Sequence, residues 1–222
     1  LAPRISPRSQ QPLGDLLIRF TGFPRRSPVE GYRRWLDLGE AVARSQWTRG
    51  ETAYCSAALC SSEHNALFVR YTAREAGTLS CTIQLTRESG ALSTTLSDDT
   101  LLLQGQAGHG GEKLGVKFAG VVRAIPTGGT VRQDLNALHV SGADELVLVL
   151  AVETDYNWDD PTRPRSHPLP DHALRRVDAA AQRDFDGVMQ HHVADHRGYF
   201  GRSQISLHAD PKLCDRPINE RK

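Results

Sequence analysis

Three histidines and an aspartate, at positions 191, 192, 195 and 196, are the side chains best suited to metal chemistry. His192 and His196 lie four residues apart, which on a helix presents two imidazoles on one face, where they could bind zinc. No glutamate stands between them as the general base of a metalloprotease, and no third ligand is evident. We therefore favour half-buried, hydrogen-bonded histidines, and we predict neither a metal nor another cofactor.

A second group of chemically capable side chains lies between Thr154 and Pro161, where Trp158 and Asp159 stand among other acidic and aromatic residues. An aromatic ring can stack on the apolar face of a pyranose, while a carboxylate accepts from sugar hydroxyls, so these two residues are our candidates for substrate binding. A glycosidase needs two carboxyl groups held ~5 to 10 Å apart, which neighbours on one loop do not establish. We favour a simple exposed boundary loop over a ligand site, because Asp, Asn and Pro are turn formers, and no residue is assigned as catalytic.

The histidines stand at the end of a pattern that predicts a helix beginning at Asp171. Its apolar stripe repeats every three or four residues through Leu174, Val177, Ala181, Phe185, Val188 and His192. Asp171 is placed to cap the first turn, and Gly187 is where we expect the helix to bend or break. Gly201 can end the helix, and Ile205 and Leu207 predict a short final strand.

Everything before this helix predicts β-structure. Short runs that are apolar at every second position recur from Leu16 to Val152 without a helical pattern between them. Parallel strands would need crossover helices, so the fold class is mainly β, a large antiparallel β-sandwich. Residues 127–130 predict a hairpin turn, and the glycine-rich residues 106–113 predict a hairpin rather than a phosphate-binding loop.

The predicted organisation has five parts. Residues 1–10 form an irregular arm, 11–160 the β-sandwich, 161–170 a stiff proline-rich linker, 171–201 a helical linker, and 202–222 a terminal strand with the start of a further domain.

Composition limits the partners. A net charge of +1 with interspersed signs gives no basic stripe for nucleic acid, and no run approaches the ~20 apolar residues that cross a bilayer. The four cysteines, at positions 55, 60, 81 and 214, follow no CxxC spacing, so small buried thiols are favoured over disulfides. Cys55 and Cys60, five apart on a predicted strand, would point to opposite faces.

The order of several short stretches resembles the N-terminal region of glycoside hydrolase family 95, the α-L-fucosidases. The stretches are QPLGDLLIRF, YRRWLDL, GVKFAG, SGADELVLVLAVETDY, HVADHRGYFGRSQISL and PINERK, between residues 11 and 222. The resemblance implies a β-sandwich joined by a helical linker to a catalytic (α/α)6 barrel. It also implies a glycan substrate and a secreted or periplasmic location.

On this resemblance the barrel, with every catalytic residue, would follow Lys222, and this chain alone would be inactive. The sequence departs from the family at Cys55 to Ala58, where Arg-Glu is preferred after Tyr54, and at Ser203 and Asn219. Three alternatives therefore stay open: a degenerate fragment, a free-standing carbohydrate-binding or scaffold module, and the related sandwich that precedes disaccharide phosphorylase barrels.

Overall fold

The computed structural model describes residues 11–23, 27–108 and 114–204, together with residues 216, 217 and 220. The described residues form twelve strands and two helices. The elements are β1 Asp15–Phe20, β2 Val29–Asp37, β3 Val42–Arg49, β4 Thr52–Ser61, β5 Ala66–Ala73, β6 Leu79–Thr86, β7 Ala91–Ser97, β8 Thr100–Gly108, β9 Leu114–Thr127, β10 Thr130–Asp134, β11 Ala137–Ala143, β12 Glu145–Thr154, α1 Leu169–Ala181 and α2 Phe185–Phe200. The predicted arm of residues 1–10 and the predicted strand through Ile205 and Leu207 lie outside the described residues.

The strands form two sheets in which every pairing is antiparallel. The smaller sheet has the order β1-β6-β11-β10, and the larger has the order β2-β3-β4-β5-β12-β9-β8-β7. The predicted mainly-β antiparallel sandwich, followed by a helical segment, is confirmed. The strands flanking the glycine-rich stretch, β8 and β9, pair as a hairpin, as predicted.

The core between the sheets is built from strands with strict alternation. In β6 the side chains of Leu79, Cys81, Ile83 and Leu85 are at most 1% exposed, while the residues between them are partly exposed. Successive side chains of a strand point to opposite faces, so these four all reach the larger sheet. Burying a large apolar side chain stabilises a fold by about 1.5 to 3 kcal/mol, so this face contributes strongly to the sandwich.

A second core lies on the opposite face of the larger sheet. In β9 and β12 neighbouring residues such as Val121 and Val122, or Leu148 and Val149, are at most 1% exposed, so both faces of these strands are covered. Helix α1 packs on β9 and β12 through Val177 and other apolar side chains. The central part of the domain therefore has three layers: small sheet, large sheet and helices.

Two arginines of the larger sheet hold the helices by ion pairs. Arg123 lies 2.7 Å from Asp178 of α1 and 3.6 Å from Asp99, and Arg70 lies 2.7 Å from Asp186 of α2. Burial raises the pKa of the Asp99 carboxyl, but hydrogen bonds from neighbouring hydroxyls and the Arg123 guanidinium outweigh it, so the pKa lies below its ordinary value.

The helical segment differs from the prediction in two respects. It starts at Leu169, because Leu169 is buried against the sheet and Pro170 occupies the second helical position, where its missing N–H is not needed. Asp171 therefore lies in the first turn and does not cap it. None of the described helices is long and apolar enough to span a membrane.

The second difference is the position of the expected break, which lies between Ala181 and Phe185 and not at Gly187, so there are two helices. Asp184 caps α2, and both of its carboxylate oxygens accept from the Gly187 N–H at 3.1 Å. A Cβ atom at Gly187 would lie 2.7 Å from Asp184 Oδ1. Gly187 thus permits the cap that starts α2 and does not itself break the helix.

The hairpin predicted at residues 127–130 is also wrong. The turn joins β9 of the larger sheet to β10 of the smaller one, so it crosses between the sheets. Gly128 and Gly129 have φ values of 70° and 63°, and a Cβ at Gly129 would lie 2.3 Å from the Ser141 carbonyl oxygen. Two glycines suit a tight hairpin turn, but here they suit a close approach to β11 instead.

The cysteines follow the prediction only in part. Cys55, Cys60 and Cys81 are free, and Cys81 is buried, so that burial raises the pKa of its thiol to about 12. Cys55 and Cys60 lie on opposite faces of β4 but are both exposed, contrary to the prediction of buried thiols. The reason is that β4 lies near the β2 edge of the larger sheet, where neither the small sheet nor the helices cover it fully. Cys214 lies outside the described residues.

Candidate functional site

The loop after β12 carries Trp158 to the rim of a cleft at one end of the sandwich. Trp158 is 76% exposed, and its ring meets the ring of Tyr156 edge to face, with centroids 4.9 Å apart and an interplanar angle of 82°. Asp159 is exposed and does not line the cleft, and its backbone N–H donates to Asn157 Oδ1 at 3.2 Å. Of the two sequence candidates, the structure therefore places only Trp158 at a concave surface.

The cleft has a volume of about 230 Å³ and a largely apolar lining. It forms where β12 ends, β9 begins and β8 ends, since Thr154 pairs with Phe118 and Gly105 also pairs with Phe118. The lining residues are Gln11, Leu13, Ala107, Val116, Phe118, Val152, Thr154, Tyr156 and Trp158. Phe118 and Val116 are buried, whereas Val152 is 37% exposed.

The segment before β1 closes one side of the cleft, and its position is fixed by Arg87. The Arg87 guanidinium donates to the carbonyl oxygens of Pro12 and Leu13 and, at 2.5 Å, to Gln11 Oε1. It also lies 4.9 Å from the ring centroid of Phe118. One charged side chain thus ties the segment to the wall of the cleft.

Glycine is required where this segment meets β9. A Cβ atom at Gly120 would lie 2.9 Å from Leu13 Cδ2, so the absence of a side chain lets Leu13 rest on the sheet.

The polar groups of the cleft are neutral. The hydroxyls of Thr154 and Tyr156 make no hydrogen bond to another described residue, and Gln11 Nε2 is used in a bond of 3.1 Å to the Gly108 carbonyl oxygen. Asp155 lies between two lining residues but is buried, and its Oδ1 accepts from the Lys117 N–H at 2.9 Å. Among the described residues that line the cleft there is no carboxylate or imidazole, and its hydroxyl and amide groups beside an apolar lining suit the binding of a neutral ligand.

The histidines of α2 have a structural arrangement. His192 Nε2 donates to the Ala41 carbonyl oxygen at 3.1 Å, and His196 Nε2 donates to the Leu38 carbonyl oxygen at 2.8 Å. As predicted, both are partly buried and hydrogen-bonded, and they attach α2 to the turn between β2 and β3. Within residues 11–23, 27–108 and 114–204, no group of three or more His, Cys, Asp or Glu side chains could hold a metal ion.

Sequence reasoning missed most of the cleft lining. Gln11 and Leu13 come from the segment before β1 and Phe118 comes from β9, and only the fold brings them together. Tyr156 lay in the stretch already singled out, and its spacing of two from Trp158 could have pointed to a paired aromatic wall.

A family model described as "Glycosyl hydrolase family 65, N-terminal domain" matches residues 2–159 of the chain. The chain belongs to this family. This assignment confirms the coarser part of the resemblance, that the chain is the N-terminal region of a glycoside hydrolase. The finer assignment to family 95 is not part of that match.

Two relatives carry the name of fucosidases. The probable α-fucosidase A of Aspergillus niger is 26% identical over 206 residues, covering 87% of this chain and 25% of the relative. The α-L-fucosidase 2 of Arabidopsis thaliana is 23% identical over 232 residues, covering 95% of this chain and 27% of the relative. The family 65 N-terminal domain described here thus spans about a quarter of the length of these curated relatives.

Among solved structures, a chain named as a putative kojibiose phosphorylase from the human microbiome is similar in fold. Its TM-score is 0.51 at 10% sequence identity, and the match covers 82% of this chain and 27% of that one. At this identity the likeness concerns the fold of the domain alone.

Proposed function

We propose that this chain is the non-catalytic N-terminal domain of an α-L-fucosidase-like glycoside hydrolase of the family 95 type. It packs on and supports a catalytic (α/α)6 barrel of the same parent polypeptide, which hydrolyses α-L-fucosides in glycans. One observation carries the proposal, namely how much of each chain is aligned. The matches to the two relatives named as fucosidases cover 87% and 95% of this chain, but only 25% and 27% of the relatives. The order of sequence landmarks supports the choice of family 95.

The chemistry of the cleft supports a non-catalytic role. Glycoside hydrolysis uses two carboxyl groups on either side of the scissile bond, about 5 to 10 Å apart. The carboxylate of Asp155 is engaged by the Lys117 N–H, and Asp159 stands outside the cleft. None of the described residues that line the cleft supplies such a pair of carboxyl groups, and we assign catalysis to the parent's barrel.

The end of α2 supports the packing role. Tyr199 and Phe200 are 68% and 50% exposed, and Leu38, in the turn on which α2 rests, is 63% exposed. The Phe200 ring stacks on His196 with centroids 5.0 Å apart. His196 links them, since its Nε2 donates to the Leu38 carbonyl oxygen, and exposed apolar side chains grouped in this way can form a surface that a partner covers. We assign the barrel of the parent chain as that partner.

Hydroxyl-radical footprinting tests the packing. In the isolated 222-residue chain, Tyr199, Phe200 and Leu38 should be oxidised readily. In the natural polypeptide recovered from its source, they should be protected severalfold. Leu135, which is 86% exposed in the turn between β10 and β11, is the control and should be oxidised equally in both. Equal oxidation of the α2 residues in both forms would remove the support for a barrel on this surface.

The cleft favours a second and compatible function, the binding of a sugar residue by Trp158 and its neighbours. An exposed Trp158 ring beside a half-buried Tyr156 ring, above a concave and neutral lining, is an arrangement that can stack a pyranose. This function would belong equally to a free-standing module.

A further inference from the structure

Strand β2 forms one edge of the larger sheet, and among the described residues only β3 pairs with it. All of its residues except Asp37 are exposed. An edge strand presents unpaired N–H and C=O groups on which a further strand can add. The exposed residues of β2 include four large apolar side chains, which are 39% to 59% exposed: Val29, Tyr32, Trp35 and Leu36. This edge can therefore offer both backbone hydrogen bonds and apolar contact to another strand.

The two edges of the larger sheet differ in how they are protected. At the opposite edge, the Thr95 hydroxyl of β7 donates to the Leu135 carbonyl oxygen, in the turn between β10 and β11 of the smaller sheet. Strand β2 has no proline and no lysine, two residues that commonly block an edge. Its only cations are Arg33 and Arg34. These two charges therefore restrict which strand can pair with β2.

The charges of β2 are complementary to a second copy of β2 in one register. The pairing with β3 is regular from Arg33 to Asp37 and irregular before it. Two identical antiparallel strands are related by a twofold axis, which must pass through a residue because hydrogen-bonded and non-hydrogen-bonded positions alternate. An axis at Arg33 or Arg34 places like charges directly opposite each other, which destabilises a sheet. An axis at Leu36 forms no charge pair within the regular stretch. An axis at Trp35 places Arg33 of each copy opposite Asp37 of the other.

The side chains of this register lie in favourable positions. Arg33, Trp35 and Asp37 alternate along β2 and so lie on one face of the sheet. The Arg33 guanidinium carbon lies 5.9 Å from the centroid of the Trp35 ring. The Asp37 Oδ1 atom accepts from the N–H groups of Gly39 and Glu40 at 3.0 and 3.1 Å, which holds the carboxylate at the end of the strand. Its second oxygen, Oδ2, takes no part in these two bonds and can accept from an arginine.

We propose that the chain associates with a second copy of itself through β2. The two strands pair antiparallel about a twofold axis at Trp35, and two Arg33–Asp37 pairs flank that axis. The two larger sheets thereby join into one sheet of sixteen strands, eight from each copy. Five regular residues per copy make a small interface, so we expect a dissociation constant on the order of 100 µM. The proposal depends on β2 and not on the barrel or on the cleft beside Trp158.

Sedimentation equilibrium of the 222-residue chain, up to about 1 mM, tests the association. Arg33→Glu places like charges opposite each other in both pairs and should raise the dissociation constant about tenfold. Arg34→Glu is the matched control, because it makes the same change next door but opposite Leu36, and it should change the constant less than about threefold. Thermal unfolding verifies that both variants are folded. A chain that stays monomeric would leave this edge to a different polypeptide and overturn the proposal, as would equal effects of the two variants.

Cysteine crosslinking tests the register. Directly opposite residues have Cα atoms about 4.5 to 5.5 Å apart, within the range of a disulfide. A mixture of Arg34→Cys chains and Leu36→Cys chains should therefore crosslink on mild oxidation severalfold faster than either variant alone, and Trp35→Cys should crosslink with itself. The background replaces three native cysteines with serine, at positions 55, 60 and 214. Faster crosslinking of Arg34→Cys alone than of the mixture would place the axis at another residue and overturn the proposal.

Discussion

Helix α2 contains two glycines whose replacement by alanine should have different effects. A Cβ at Gly198 meets no atom within 4 Å, whereas a Cβ at Gly187 would lie 2.7 Å from Asp184 Oδ1. Alanine favours a helix interior over glycine by about 0.8 to 1.0 kcal/mol, so Gly198→Ala should stabilise α2 by that amount. Gly187→Ala has the same intrinsic gain but displaces the N-cap, which costs about 1 kcal/mol within a range of 0.5 to 2.

Native-state hydrogen exchange of the α2 amides measures this difference, because α2 buries only Phe185 and Val188 and should open locally before the sandwich unfolds. Gly198→Ala should raise the protection of α2 amides about four- to fivefold, and Gly187→Ala should leave it near the wild-type value or below. Asp184→Ala, which removes the cap directly, should make the two glycine substitutions equivalent. Equal protection in the two single variants with Asp184 intact would refute the assignment of Asp184 as the start of α2.

Three further predictions concern charge, thiols and a turn. The folded pKa of Asp99 lies below its unfolded value, so its ionised form stabilises the fold at neutral pH and that contribution is lost as pH falls through the folded value. Asp99→Asn should therefore lower Tm slightly at pH 7, and the Tm of the variant should fall less than that of the wild type below about pH 4. If Tm depends on pH in the same way in the variant and the wild type, the prediction is wrong. Iodoacetamide should modify exposed Cys55 and Cys60 in the native chain and spare buried Cys81, as followed by peptide mass spectrometry; early labelling of Cys81 would contradict its burial. Gly129→Ala, which brings a Cβ within 2.3 Å of a backbone carbonyl at a φ of 63°, should lower the free energy of unfolding in urea by more than about 1 kcal/mol.

The sequence predicted the sandwich because the sheet residues follow a local rule. Alternation in β6, with Leu79 and Ile83 buried, follows from a strand that has one face toward the core. The sequence analysis did not predict that β9 and β12 are covered on both faces. Their nearly continuous apolar runs around Val121 and Val149 are nevertheless typical of strands that are buried on both faces. These runs also satisfy the test for alternation, because a run that is apolar at every position is apolar at every second position. The strands were therefore predicted, but the packing of the helices on their second face was not.

The errors at the turns have a different cause. Residues 127–130 have the composition of a hairpin, but the partner of each flanking strand is decided by long-range packing, which places β9 and β10 in different sheets. The break before Gly187 depends on the acceptor geometry of Asp184, which is a local signal that was available but was assigned to Asp171 instead. Local propensity identifies which residues can cap or turn, and tertiary contacts select among them.

The cleft shows how far a site can be derived from residue types. Trp158 was identified because an exposed aromatic among acidic residues suits a sugar, whereas Leu13 and Phe118 carry no such signal. Their place in the cleft follows from the packing of Leu13 on Gly120 and from the hydrogen bonds that Arg87 donates to the segment before β1. The aromatic residue at the rim was therefore visible in the sequence, while the apolar lining of the cleft was visible only in the fold.

The most direct test of the central claim is the hydrolysis of an aryl α-L-fucoside, measured at equal molar concentrations of the 222-residue chain and of the natural polypeptide recovered from its source. We expect turnover by the natural polypeptide and none by the 222-residue chain. Turnover that copurifies with the 222-residue chain would contradict its non-catalytic role, and the absence of turnover in both would contradict its assignment to a fucosidase.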